Sequence, residues 1–183
     1  MRIMIAGDIH GSEYFCKKLC DMFYKFQAQK LLLLGDILYH GPRNPLPRGY
    51  DPKGVCRILN PLSDKIICVR GNCDSEVDNM VLDFPVNVDC AYLIYADRTF
   101  FATHGHVYNT DNPLPLSRGS VLLHAHTHVP AYSEFENYTY INPGSVSLPK
   151  QDTPNSFAII DGDSVVHYDI DGNIFMQNKL PLL

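Results

Sequence analysis

The chain contains no tryptophan, no Cys-x-x-Cys pair and no apolar run approaching the ~18 residues that span a bilayer. Its opening apolar run, Met1-Arg2-Ile3-Met4-Ile5-Ala6, stops at Gly7-Asp8 and is too short for a secretory signal core, so a cytoplasmic protein with no membrane association is expected. Basic residues are few: 15 Lys+Arg stand against 20 Asp+Glu, a formal net charge of −5. Such a chain lacks the cationic face that displaces counterions from duplex phosphates, so no stable binding to duplex nucleic acid is expected. Any phosphate-bearing ligand must be drawn by a local charge. Six cysteines are present, at 16, 20, 56, 68, 73 and 90, but a chain of this length builds a core without disulfides, and free thiols are expected.

What remains is a globular profile: 183 residues, 45% hydrophobic and 19% charged, suited to one compact domain over 1–183. Residues 2–6 read as a buried strand. Phe15, Leu19, Met22, Phe23 and Phe26 recur near helical spacing across 13–27, with Ser12 as N-cap. A second apolar strand at 30–34 completes a βαβ unit, which implies parallel pairing. Residues 41–49 hold three prolines, too many for helix or strand, and read as a functional loop. A helix over 51–59 and a strand over 65–69 follow. The second half turns to short strands at 91–95, 99–103, 121–123, 131–135, 138–141, 157–160, 165–170 and 174–177, with turns at Asp161-Gly162 and Asp171-Gly172. The fold class is therefore α/β, βαβ first and mainly β after.

Metal-capable side chains follow the C-terminal ends of successive apolar runs. Asp8 and His10 follow the first, Asp36 the second and Asn72 the third; His104, then His126 and His128, follow later ones. In open α/β sheets this carboxyl edge is where ligands bind. Two carboxylates, one amide oxygen and four imidazoles suffice for two cations if one carboxylate bridges, and leave positions for water and substrate. Two divalent cations with Asp8 and Asp36 make a site of about +2, enough to attract a phosphate ester to an acidic chain.

These residues carry a resemblance. Asp8-Ile9-His10, Gly35-Asp36, Gly71-Asn72, Thr103-His104-Gly105-His106 and Ala125-His126-Thr127-His128 resemble, in order, the D-x-H, G-D, G-N-H-[E/D], H and G-H-x-H blocks of calcineurin-like metallophosphoesterases. Gly41-Pro42-Arg43-Asn44, the run from Arg70 to Asp78, and Asn142-Pro143-Gly144-Ser145-Val146-Ser147 are similar to the bacterial YfcE-type phosphodiesterases within that family. The resemblance implies a sandwich of two mixed β-sheets flanked by helices. It implies that Asp8, His10 and His128 hold one metal, that Asn72, His104 and His126 hold a second, and that Asp36 bridges them. It further implies Mn²⁺ as the activating metal; the ligand chemistry alone leaves Fe, Ni and Zn open. The implied reaction is hydrolysis of a small or nucleotide-like phosphodiester by a metal-bridging hydroxide. Arg43 and Arg70, beside the motifs, are candidate phosphate contacts, with solvated or ion-paired surface charge as the alternative.

Two departures from the family pattern matter. Cys73 stands where many members have the histidine that protonates the leaving group, so activated diesters should be preferred over monoesters. His40 and His106 are the remaining candidates for proton donor, and Cys73 for a catalytic thiol or an inert packing residue. Ala125 replaces a usual glycine and would be strained only if φ there is positive. Two other functions compete: an interaction scaffold, as in the retromer subunit of this fold, and a phosphomonoesterase. Tyr14, Tyr24, Tyr92 and Tyr95 are candidates for a homo-oligomer contact, and the segments 41–49 and 108–117 for substrate specificity.

Overall fold

A computed structural model describes residues 1–182. Strand β1 (Arg2–Ala6) leads into helix α1 (Glu13–Lys25), strand β2 (Lys30–Leu33), helix α2 (Pro52–Leu59), a 3₁₀ turn and strand β3 (Ile66–Cys68). Then come β4 (Cys90–Tyr95), β5 (Arg98–Thr103), β6 (Ser120–Leu123), β7 (Ala131–Glu134), β8 (Tyr138–Asn142), β9 (Ser156–Asp161), β10 (Ser164–Asp169) and β11 (Ile174–Lys179). They form two sheets, in the orders β11-β10-β9-β1-β2-β3 and β4-β5-β6-β8-β7. Both are mixed: β1 pairs parallel with β2 and antiparallel with β9, while β6 pairs parallel with β5 and β8, and β8 antiparallel with β7. The sandwich expected from the resemblance is therefore the fold.

Alternation along the strands sorts the core into layers. Met4, Ala6, Leu31, Leu33, Phe157 and Ile159 face α1 and α2, whereas Ile3, Ile5, Leu32, Leu34 and Ile160 face Phe100, Val121, Leu123 and Ile141 of the second sheet. With both faces buried, β1 and β2 read as continuous apolar runs instead of alternating ones. On α1, Cys16, Leu19, Cys20 and Phe23 make the buried stripe, and Ser12 Oγ caps the helix by accepting from Phe15 N at 3.2 Å. The helix stops at Lys25, two residues before the expected end, because Gln27 turns left-handed at φ 52°.

Both α-helices cover the same face of the first sheet. On the second sheet's outer face, Phe101, Leu122 and Tyr140 are covered by Tyr108, Leu114 and Leu116 of the connection after β5. All six cysteines are free thiols. Among the described residues no helix is long and apolar enough to cross a membrane.

Candidate metal centre

Because β1, β2 and β3 run parallel, the segments leaving them arrive at one end of the first sheet. The segments leaving β5 and β6 arrive at the same end of the second, since Ala125 N donates to His104 O at 2.9 Å and His126 N to Asp8 Oδ2 at 3.2 Å. The seven predicted ligands meet across this seam. His10 Nε2 lies 3.3 Å from His128 Nε2, and Asp8 Oδ1 lies 3.7 Å from the former and 3.4 Å from the latter. His104 Nε2 lies 3.1 Å from both Asn72 Oδ1 and His126 Nδ1. Between these groups sits Asp36, whose Oδ2 is 3.6 Å from His10 Nε2 and 3.5 Å from His104 Nε2.

The far side of each ring explains why these nitrogens point inward. Nδ1 of His10, His104 and His128 faces the backbone carbonyls of Tyr39, Leu34 and Leu148 at 2.9, 2.7 and 2.5 Å. A carbonyl only accepts, so each Nδ1 carries the proton and each Nε2 presents a lone pair. His10 and His128 therefore direct two lone pairs at one another, as do His104 Nε2 and Asn72 Oδ1. Neither contact is a hydrogen bond, and both become attractive around a cation. Asp8 Oδ1 is buried with no hydrogen-bond partner among the described residues. Burial first, and then the Asp36 charge, push the Asp8 carboxyl well above its ordinary range. Burial lowers all four imidazoles, His104 and His128 to about 4, so they stand neutral and ready to ligate at pH 7. Unpartnered carboxylate oxygen and converging nitrogen lone pairs fit divalent cations.

Backbone strain accompanies this convergence. Asp8, His10, Asp36, His126 and His128 all have positive φ, between 49° and 64°, a region non-glycine residues seldom enter. Ala125 has no positive φ, so alanine is unstrained there. Its methyl occupies room left by Gly7, where an added Cβ would lie 2.9 Å from Ala125 Cβ.

Several supporting residues were legible only as letters within the motifs. Asp74 Oδ2 accepts from Asp36 N and Gly71 N, and its Oδ1 from Ile37 N, each at 2.7 Å, which locks the Asp36 and Asn72 loops together. The 142–147 segment reaches both sheets. Ser145 Oγ and Ser147 Oγ donate to the Asp8 carbonyl at 3.0 and 3.1 Å, and Asn142 Nδ2 donates to Ala125 O and Thr127 Oγ1 at 3.0 and 2.9 Å.

A cavity of about 900 Å³ opens over the centre, lined by Asp36, Asn72, His126 and His128 and walled by Tyr39, Gly41–Asn44, Cys73, Ser75 and Lys150. Arg43 lines it. Arg70 does not: its guanidinium pairs with Asp89 at 2.7 Å, away from the cavity wall. The His40 ring sits between Tyr39 and Tyr50 with Nδ1 unpartnered, and is not part of the lining. His106 is exposed, its ring centroid 5.4 Å from that of His104. Cys73 lines the cavity, and burial together with Asp36 pushes its thiol up to about 12, so it is a neutral S–H and a poor nucleophile. His124 is buried, stacked on Tyr140, and His167 is buried with Nε2 donating to Asn142 O at 2.9 Å.

The sequence profile of the calcineurin-like phosphoesterase superfamily domain matches residues 1–164. The chain belongs to this superfamily. Among its phosphoesterase relatives, phosphodiesterase YfcE of Escherichia coli K12 is 43% identical over 163 residues, 89% of each chain. The solved structure of Yfce, a phosphoesterase from E. coli, superposes with a TM-score of 0.96 at 40% identity, covering 99% of this chain and 100% of that one. Vps29 of Entamoeba histolytica, solved in complex with Zn²⁺, shares the phosphoesterase fold at a TM-score of 0.63 and 18% identity over 99% and 100% of the two chains. Membership of a metallophosphoesterase family implies divalent metal ions, and the clustered Asp and His groups are where metal can be held.

Proposed function

We propose that the protein is a phosphoric diester hydrolase with a dinuclear centre, acting as one domain over 1–183 on a small or nucleotide-like phosphodiester. The identity to phosphodiesterase YfcE supports the diesterase class. The observation that carries the dinuclear reading is the position of Asp36 Oδ2, 3.6 Å from His10 Nε2 and 3.5 Å from His104 Nε2. One carboxylate oxygen thus faces two separate donor sets: Asp8, His10 and His128 on one side, Asn72, His104 and His126 on the other. Divalent ions there, Mn²⁺ in our reading, supply Lewis acidity that lowers the pKa of water and neutralises charge developing on the phosphoryl oxygens.

The chain's own residues do the rest. The Tyr39, Leu34 and Leu148 carbonyls hold three imidazoles in the ligating tautomer, and Asp74 holds the Asp36 loop. Asn72 and Asp36 would commit their oxygens to the ions, and Arg43 on the cavity wall carries a guanidinium that matches a phosphate group of the substrate. Neither His106 nor His40 lines the cavity; His106 is the proton donor we favour, because it is exposed with its ring centroid 5.4 Å from that of His104 and 6.2 Å from that of His126, whereas His40 is packed between Tyr39 and Tyr50. Cys73 contributes no charge and a weak donor, so leaving groups that need little protonation are favoured.

The test is hydrolysis of bis-p-nitrophenyl phosphate by chelator-stripped protein re-supplied with Mn²⁺, beside elemental analysis and an Asp36→Asn variant. Turnover should return with Mn²⁺, at two ions per chain, and fall about 10²-fold or more in the variant. Metal bound without turnover would refute the diesterase reading and favour the scaffold; one ion per chain would refute the dinuclear one.

A further inference from the structure

The outer wall of the cavity carries more positive charge than the proposed reaction uses. With two divalent cations held by Asp8 and Asp36 the centre stands at about +2, and a monoanionic diester plus the attacking hydroxide bring it to zero; Asp74, the other carboxylate on the lining, is met by the backbone N–H groups of Asp36, Ile37 and Gly71. Arg43 and Lys150 then remain. They are the only Lys or Arg side chains lining this cavity, and neither has a carboxylate within 4.0 Å among the described residues. Both stand on the wall of the cavity that His126 and His128 line.

Both also stand on anchored backbone. Lys150 N donates to His128 O at 3.2 Å, and the Lys150 carbonyl accepts from Thr153 Oγ1 at 2.7 Å, fixing the turn beside the ligand loop. Arg43 rides a turn closed by Asn44 Nδ2 donating to His40 O at 2.8 Å, and that turn begins at Gly41, with φ 81°. An added Cβ on Gly41 would meet Cys73 Sγ at 2.9 Å, so the Arg43 turn is seated directly against the Asn72-Cys73 loop. A guanidinium matches phosphate oxygens with paired N–H groups, and an ammonium supplies a point charge. Tyr39, 44% exposed on the same wall, offers a ring face to whatever joins the two groups.

We infer that Arg43 and Lys150 form an anion subsite that selects diesters carrying a second phosphoryl group outside the scissile ester. The inference rests on the diesterase reading above and adds the substrate class. The test compares kcat/KM for thymidine 5′-(p-nitrophenyl phosphate) with that for its 3′-phosphorylated derivative, two diesters with the same leaving group. The wild type should prefer the phosphorylated diester about tenfold or more, mainly through KM, and the preference should shrink as salt is raised. Lys150→Glu and Arg43→Ala should each cut the ratio of the two kcat/KM values about tenfold. The ratio cancels any general loss of activity, and Lys150 is exposed enough that its replacement leaves folding intact.

Calorimetric binding of thymidine 3′,5′-bisphosphate against thymidine 5′-monophosphate to Mn²⁺-loaded protein reads the subsite without turnover and should show the same preference. Equal kcat/KM for the two diesters, equal affinity for the two nucleotides, or a preference unmoved by both substitutions would overturn the subsite. Failure of either diester to turn over, with the affinity difference intact, would overturn the diesterase reading and keep the subsite.

Discussion

Replacing Asn142 with alanine removes a side chain that is fully buried and bonded at both ends. Asn142 Oδ1 accepts from Gly144 N at 2.9 Å, while the two protons of Nδ2 are shared among Ala125 O, Thr127 Oγ1 and Tyr140 Oη, all within 3.0 Å. Two of those partners have a way out: the hydroxyls of Thr127 and Tyr140 can turn, and Ala125 O still accepts from Thr127 N at 2.7 Å. Gly144 N–H has none, and an orphaned buried donor costs about 1–3 kcal/mol. The void left by the amide adds roughly 1 kcal/mol, for a total of about 2–4 kcal/mol, less than the usual stability of a domain. The released 125–127 backbone carries His126 and precedes His128, so affinity for metal should fall about 10–100-fold, the usual effect of losing a group that orients a ligand. Urea unfolding of metal-free protein measures the first quantity and Mn²⁺ titration the second. A lowered urea midpoint with Mn²⁺ affinity within twofold of wild type would refute the reasoning, since Asn142 would then stabilise the sheet end without orienting the ligand loop.

Three further outcomes are expected. His124 is held down to about 4 by burial, below its unfolded value of about 6.5, so the neutral ring favours the fold and that contribution is lost as pH falls from 6.5 toward 4. At pH 5 the loss is about 2 kcal/mol in metal-free protein, and His124→Gln should remove that part of the pH dependence of the urea midpoint. Gly7→Ala should destabilise by about 1–3 kcal/mol because its Cβ meets Ala125 Cβ at 2.9 Å and Leu34 Cβ at 3.3 Å; Ala125→Gly should recover part of this, and strict additivity in the double-mutant cycle would contradict the contact. Cys73→His should raise hydrolysis of alkyl phosphate monoesters about tenfold or more with metal content unchanged, and no gain on any monoester would contradict the role assigned to a missing proton donor.

The clustering of these residues was legible because each follows a strand, and strands of this burial announce themselves as apolar runs. Asp36 follows Leu31–Leu34 across one glycine; taken singly it reads equally as a turn residue, and only the repetition of this pattern at successive strand ends points to a site. Local geometry was hidden where ordinary residues adopt glycine-like backbone. Nothing in the letters Asp8, His10, Asp36, His126 or His128 signals positive φ, and Ala96 and Asp97 turn the β4–β5 hairpin at φ 50° and 58° without the glycine that such turns favour. Pairing between distant segments was hidden too. Arg70 adjoins Gly71-Asn72 in sequence, yet its guanidinium reaches Asp89, while Lys150, well past the last ligand motif in sequence, lines the cavity. The insertion of β8 between β6 and β7 is a matter of chain path, which strand patterning does not encode.

The seam between the two sheets has a mechanical consequence. Asp8, His10, Asp36 and Asn72 belong to one sheet's edge and His104, His126 and His128 to the other's, so cations held as proposed would act as rivets through a hinge whose plates are joined by apolar contact and, at this end, by a few hydrogen bonds such as His126 N to Asp8 Oδ2. Pulling the ions should loosen this end of the sandwich first, leaving the opposite end shut. Amide exchange near Gly7, Gly35 and Ala125 should therefore report metal occupancy as faithfully as catalysis does.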